Sequence, residues 1–193
     1  TSNDTNDLKN SIFLTMVLNQ GNLDLMMNFL CSLRKISLYS RIVKNLVVFA
    51  ADDETEAVLR KEGVFVFRHL ALGTLYKEHA KYYGDETFKQ MMWLKSVSVY
   101  LMIARLGLNC LFQDVDIIWY KDPIEFFKKE RNYNRFSKVY DNGRHHDNTF
   151  TNDQVDNNPY FDTFWQDDGA RSAYYSPYFA NSGFFFTQSN YRT

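Results

Sequence analysis

The alternation of short apolar runs with helical stripes limits the possible folds of this chain more than any other feature. Ile12-Phe13-Leu14-Thr15-Met16-Val17-Leu18, residues 45–51 and Val64-Phe65-Val66-Phe67 are runs with little polar interruption. Runs of that length without in-out alternation suit strands covered on both faces. Between the first two, Leu25, Phe29, Leu33 and Ile36 mark one face of a helix. Between the second and third, Asp53 stands as the cap of a helix that passes Arg60-Lys61 and stops at Gly63. Strand–helix–strand–helix–strand order implies parallel pairing with right-handed crossovers. The expected fold class is α/β: a three-layer α/β/α sandwich with a mostly parallel sheet. The 193 residues suffice for one such domain, taken here as residues 1–193.

Residues 70–87 read as a loop with short helical pieces. A longer helix follows over 88–106, with Met91, Leu94, Val97, Leu101 and Ala104 on one stripe, Lys95 beside it and Gly107 as the stop. A fourth strand over 109–113 then runs into Asp114-Val115-Asp116. In extended backbone, side chains two apart share a face, so both carboxylates point one way and Val115 the other. Like charges held together favour a cation between them. Carboxylate oxygens suit Mg²⁺ or Mn²⁺, often completed by phosphate oxygens. The pair lies at the C-terminal edge of the sheet, where open α/β proteins bind ligands. A bare Asp-x-Asp is also a common strand end with a capping carboxylate. The loops after strands one and two reach the same edge. They offer Asn19 for a base or ribose and Asp53 for ribose hydroxyls, although a turn residue and a helix cap account for both equally well. No Gly-x-Gly-x-x-Gly follows the first strand, which argues against a dinucleotide.

Residues 128–158 are polar and read as an insertion; the adjacent His145 and His146 do not face one ion well. A further strand near 161–165 leads to Asp167-Asp168-Gly169, whose carboxylates are candidates for contact with an acceptor hydroxyl or the reacting carbon, or else plain turn chemistry. Asn181-Ser182-Gly183 precedes the strand Phe184-Phe185-Phe186-Thr187; Gly183 allows close backbone approach to a ligand and Asn181 can bond sugar hydroxyls. Cys31 and Cys110, the two cysteines, read as buried thiols. The formal net charge of −1 gives no electrostatic reason to expect nucleic acid or an anionic membrane. No apolar run is long enough for a membrane segment.

Three stretches together carry a resemblance: Gln90-Met91-Met92-Trp93-Leu94-Lys95, residues 111–123, and Asn181-Ser182-Gly183-Phe184-Phe185. They resemble the nucleotide-diphospho-sugar transferase family that includes plant cell-wall arabinosyl-, xylosyl- and galactosyltransferases. The resemblance runs from about Ile12 to the end, with a weak patch near 130–160. It implies a GT-A-like fold, a Mn²⁺ (or Mg²⁺) ion, and a nucleotide-sugar donor, UDP-sugar first. It also implies a glycan or glycoprotein acceptor, retention at the anomeric carbon, and the Golgi lumen through an N-terminal anchor outside this chain. Carried onto this sequence, Asp114 and Asp116 hold the metal. Asn19, Asp53, Lys95, Asp114, Asn181 and Gly183 hold the donor, with Lys95 on its diphosphate. Asp168 and Asp167, from the reading of the residues themselves, are the candidates for the catalytic carboxylates. Members continue past the Asn-Ser-Gly strand to a late metal ligand, which is expected to lie beyond Thr193. Two other classes fit the bare residues. One is a haloacid-dehalogenase-type phosphatase, although Ile118 stands where that class has Thr or Val. The other is a non-catalytic sugar-binding or scaffold domain.

Overall fold

The structure is a computed structural model and describes residues 11–68, 77–128, 163–167 and 180–189. Its main elements are β1 (Ile12–Leu18), α1 (Leu23–Lys35), β2 (Leu46–Ala50), α2 (Asp53–Lys61), β3 (Phe65–Phe67), α3 (Glu86–Tyr100), β4 (Asn109–Gln113), α4 (Pro123–Lys128), β5 (Thr163–Asp167) and β6 (Ala180–Thr187). They form one sheet in the order β3-β2-β1-β4-β6-β5. The first four pair in parallel, and β6 runs antiparallel to both β4 and β5. The mostly parallel sheet expected from the sequence is therefore present.

Both faces are covered. Alternation along β1 sends Leu14, Met16 and Leu18 to a core with Phe29 and Leu33 of α1, Leu59 of α2 and Phe127 of α4. Val17 goes to the opposite core, where α3 contributes Leu94, followed by Met102 and Ile103. No helix among the described residues is long and apolar enough to cross a membrane. The polar insertion expected at 128–158, with His145 and His146, lies outside the described residues apart from Lys128.

Three local expectations change. First, α3 passes into a π-helical turn at Leu101–Arg105, where the Leu106 N–H donates to the Leu101 carbonyl at 3.0 Å. Gly107, at φ 66°, ends it as expected, and the Leu108 N–H donates to the Met102 carbonyl at 2.9 Å. The buried positions are Leu94, Lys95, Ser98, Met102 and Ile103, while Ala104 is exposed. The buried face is thus rotated from the Met91–Leu94–Val97–Leu101–Ala104 stripe, and the rotation puts Lys95 inside. Second, the cap of α2 is Asp52, not Asp53: Asp52 Oδ1 accepts the Thr55 N–H at 2.8 Å. Third, Cys31 is exposed, because it lies off the Met26–Phe29–Leu30–Leu33 face of α1. Cys110 is buried as expected, and burial pushes its thiol up to about 12.

Candidate functional site

β4 ends at Gln113, a buried amide that clamps the segment after it. Gln113 Oε1 accepts from Trp119 Nε1 at 2.6 Å, and Gln113 Nε2 donates to the Ile117 carbonyl at 3.2 Å. The Trp119 ring meets Phe29 edge-on, with centroids 5.5 Å apart. Held this way, the chain turns immediately after the strand, and the Ile117 N–H donates to the Asp114 carbonyl at 3.3 Å. This corrects the sequence expectation: Asp114 and Asp116 lie in a turn, so strand alternation does not set the directions of their side chains. Val115 and Ile117 still pack against the core, while Asp116 is exposed.

Lys95 meets this turn from α3. It is 5% exposed, and its Nζ lies 3.1 Å from Asp114 Oδ1, 3.3 Å from Ser182 Oγ and 4.5 Å from the centre of the Phe112 ring. Burial pushes the Lys95 ammonium below its ordinary range, and the carboxylates of Asp114 and Asp116 work against that shift. Burial likewise pushes Asp114 above the usual carboxylate range, against the pull of Lys95, while the Asp116 charge adds to the rise. Each shift has the same cause, removal of a charge from water, and ion pairing moderates both.

β6 supplies the third side. Trp165 of β5 pairs with Phe185, yet the next residue, Gln166, pairs with Asn181, so residues 182–184 bulge from that ladder. Bulges re-aim side chains and recur beside active sites. Here Ser182 is turned to Lys95, the Gly183 carbonyl accepts the Asp114 N–H at 2.7 Å, and the Gly183 N–H donates to Asn181 Oδ1 at 2.6 Å. Lys95, Asp114, Asn181 and Gly183, taken separately from the sequence, are brought into one bonded cluster with Asp116 beside it. Ser182 and the Gln113–Trp119 clamp are additions that sequence reasoning missed. Ser182 sits between two selected residues, and no pattern in one sequence marks its hydroxyl.

The other selected residues are placed differently. Asn19 is fully buried; its Nδ2 donates to the Glu78 carbonyl at 2.8 Å and its Oδ1 accepts from Asn22 Nδ2 at 2.9 Å. Asp53 is exposed at the start of α2 and forms an ion pair with Arg68. Asp167 is exposed at the end of β5, opposite Ala180. Asp168 lies outside the described residues.

The family model for nucleotide-diphospho-sugar transferases matches residues 41–193, which takes in β2 through β6 and all of the Lys95–Asp114–Gly183 cluster. The chain belongs to the nucleotide-diphospho-sugar transferase family. Among curated proteins it is similar to a beta-arabinofuranosyltransferase of Arabidopsis thaliana, 30% identical over 60% of this chain and 20% of that protein. It is also similar to a UDP-galactose:fucoside alpha-3-galactosyltransferase of Dictyostelium discoideum, 33% identical over 62% of this chain and 14% of that protein. The matched part thus spans a fifth or less of the length of either relative. No solved structure matches significantly.

For this member of the family, the donor set of Asp114 and Asp116 suits a hard divalent ion with phosphate oxygens completing the shell. Among the described residues no three His, Cys, Asp or Glu side chains gather about one point. Asp116 is the more open of the pair, because one Asp114 oxygen is engaged by Lys95. Among the described residues, one cleft reaches the cluster and another lies along the segment after the Asp114–Asp116 turn. One of about 500 Å³ lies between α3 and the β5–β6 edge and includes Lys95, Ser182, Trp165 and Phe185. Its aromatic wall is ordered by stacking, Trp165 on Phe185 at 4.2 Å and Phe185 on Phe112 at 5.3 Å. The other, of about 330 Å³, is bounded by Ile118, Tyr120, Gln166 and Phe184.

Proposed function

We propose that this chain is the donor-binding part of a metal-dependent, retaining glycosyltransferase that moves a sugar from a nucleoside diphosphate to a hydroxyl of a glycan or glycoprotein. One observation carries the proposal: a buried lysine, paired with the first carboxylate of Asp-x-Asp, stands where the parallel sheet ends, and the second carboxylate is left exposed beside it. A cation fixed inside the protein next to a carboxylate pair suits a diphosphate that gains negative charge as the glycosidic bond breaks. In the transfer, the anomeric carbon–diphosphate bond breaks and the anomeric carbon–acceptor oxygen bond forms. The acceptor proton leaves to the departing diphosphate. Mn²⁺ or Mg²⁺, held by Asp116 with Asp114, would add further neutralisation of that leaving group. Lys95 orients one end of the site through Asp114 and Ser182, and Asn181 and Gly183 shape the floor. Asp167, exposed at the end of β5, is the carboxylate this reading assigns to the acceptor. UDP is the first nucleotide to test, since the Dictyostelium relative is named for a UDP-sugar donor. Family membership favours glycosyl transfer over the phosphatase reading.

The test is thermal unfolding with UDP or GDP, with and without Mn²⁺. A ligand that binds only the native state raises stability by RT ln(1 + [L]/Kd), about 2.7 kcal/mol at a hundredfold excess over Kd. The wild type should gain stability from UDP only when Mn²⁺ is present. Asp116→Asn should lose that gain, and Asp114→Asn should lose less of it. A Mn²⁺-dependent gain that survives Asp116→Asn would overturn the site. Retention is checked separately, by the anomeric configuration of the product.

A further inference from the structure

Gly183 lies in a β-strand and takes no backbone conformation that demands glycine; its φ is not among the positive values of the chain. Its surroundings demand it instead. A Cβ built there would stand 2.7 Å from Asp114 Oδ2 and 2.8 Å from Asn181 Oδ1. Contacts under about 3 Å require one partner to move, and both partners are tethered. Asp114 is held at its backbone by the Gly183 carbonyl and at Oδ1 by Lys95; Asn181 is held by the Gly183 N–H. The sequence suggests a glycine that admits a ligand, but the space above Gly183 is filled by the protein's own two oxygens.

We propose that Gly183 is a positioning residue. By lacking a side chain, it lets the bulged Asn-Ser-Gly segment seat the Asp114 carboxylate against Lys95, and it does not itself touch the donor. A methyl group at 183 would displace Asp114 Oδ2, turn the carboxylate and weaken its 3.1 Å contact with Lys95. The same displacement would alter the carboxylate offered beside Asp116. The consequence for nucleotide binding rests on the donor-site reading above; the steric coupling does not.

The experiment compares Gly183→Ala in four backgrounds of the full chain: wild type, Asp114→Asn, Asp114→Ala, and Asp114→Ala with Asn181→Ala. The urea midpoint is measured in each. Asn keeps the bulk of Asp114, so Gly183→Ala should lower the midpoint by the same amount there as in wild type. In Asp114→Ala the drop should be about half or less, because one of the two clashes is gone. With Asn181 also truncated it should vanish. If Gly183→Ala fails to fold in the wild-type background, recovery of folding by Asp114→Ala is the expected result. An equal drop in all four backgrounds, or none in wild type, overturns the proposal. In parallel, Gly183→Ala should weaken Mn²⁺–UDP binding roughly tenfold, a typical effect for coupled neighbours. Unchanged affinity would also remove the positioning role. Absence of UDP binding in wild type would sink the donor reading while the urea comparison still decides the steric one.

Discussion

The two ends of this sheet edge treat polar side chains in opposite ways. At the ends of β1 and β2, the polar groups close the fold on itself. Asp52 accepts the Thr55 N–H through one oxygen and the Gln20 N–H through the other, stitching α2 to the loop after β1. Asn19 joins the same loop to the Glu78 backbone, and the Gly21 N–H donates to the Lys77 carbonyl at 2.6 Å. At the ends of β4 and β6, charge meets charge. The buried Lys95 pairs with the half-buried Asp114, and the carboxylate of Asp116 stands exposed beside them. The first arrangement is satisfied without a ligand. The second has both carboxylates near the Lys95 ammonium, a charge imbalance that the proposed metal would relieve.

The largest expected effect tests that contrast at its charged end. Lys95→Ala should cost about 2–3 kcal/mol of stability. That is less than the 3–5 kcal/mol typical of an opened buried pair, because the Asp114 side chain is 41% exposed while that of Lys95 is 6% exposed. Placed beside an apolar stripe, as the sequence suggests, Lys95 would lose little on truncation; its burial reverses that expectation. The urea midpoint decides, and a wild-type midpoint would return Lys95 to the solvated helix face.

The next effect tests the closed end. Asp52→Ala removes a helix cap and a second backbone bond, and should cost about 1–2 kcal/mol. Asp53→Ala loses only an exposed ion pair and should stay within about 0.5 kcal/mol. Denaturant titrations of the two variants, with and without Mn²⁺ and UDP, sharpen the comparison. Should Asp52→Ala keep its stability but lose the nucleotide response, the two edges would not differ as described.

The smallest effect leaves the fold unchanged. Iodoacetamide at pH 8 should label Cys31 and spare Cys110 until the chain unfolds. A thiol whose ionisation is pushed up to about 12 keeps its proton at pH 8 and on raising the pH to 9, so reactivity should not appear across that range. Mass spectrometry counts the labels, and two in the native state would show that the core around β4 opens.

What the sequence by itself determined was the order and type of the main elements. The apolar runs of β1, β2 and β3, the stop at Gly107 and the order of strands and helices follow from spacing along a few residues, and they lead to a mostly parallel sheet with Asp114 and Asp116 just after β4. Asp114, Asp116, Asn181 and Gly183 stood out singly in short motifs, and the family resemblance joined Lys95 to them. What only the tertiary structure decided was direction. The buried face of α3 takes in Lys95 and Ser98, and a turn rather than a strand carries Asp114 and Asp116. A bulge aims Ser182, and Asp52 rather than Asp53 completes the cap. Local bonds shape the cap and the turns, but their place in the fold is fixed by bonds between distant parts of the chain: Lys95 to Asp114 across 19 positions, Gln20 to Asp52 across 32, Lys95 to Ser182 across 87. A hydrophobic period records which residues avoid water. It does not record which partner, many residues away, will receive a side chain once the layers have packed.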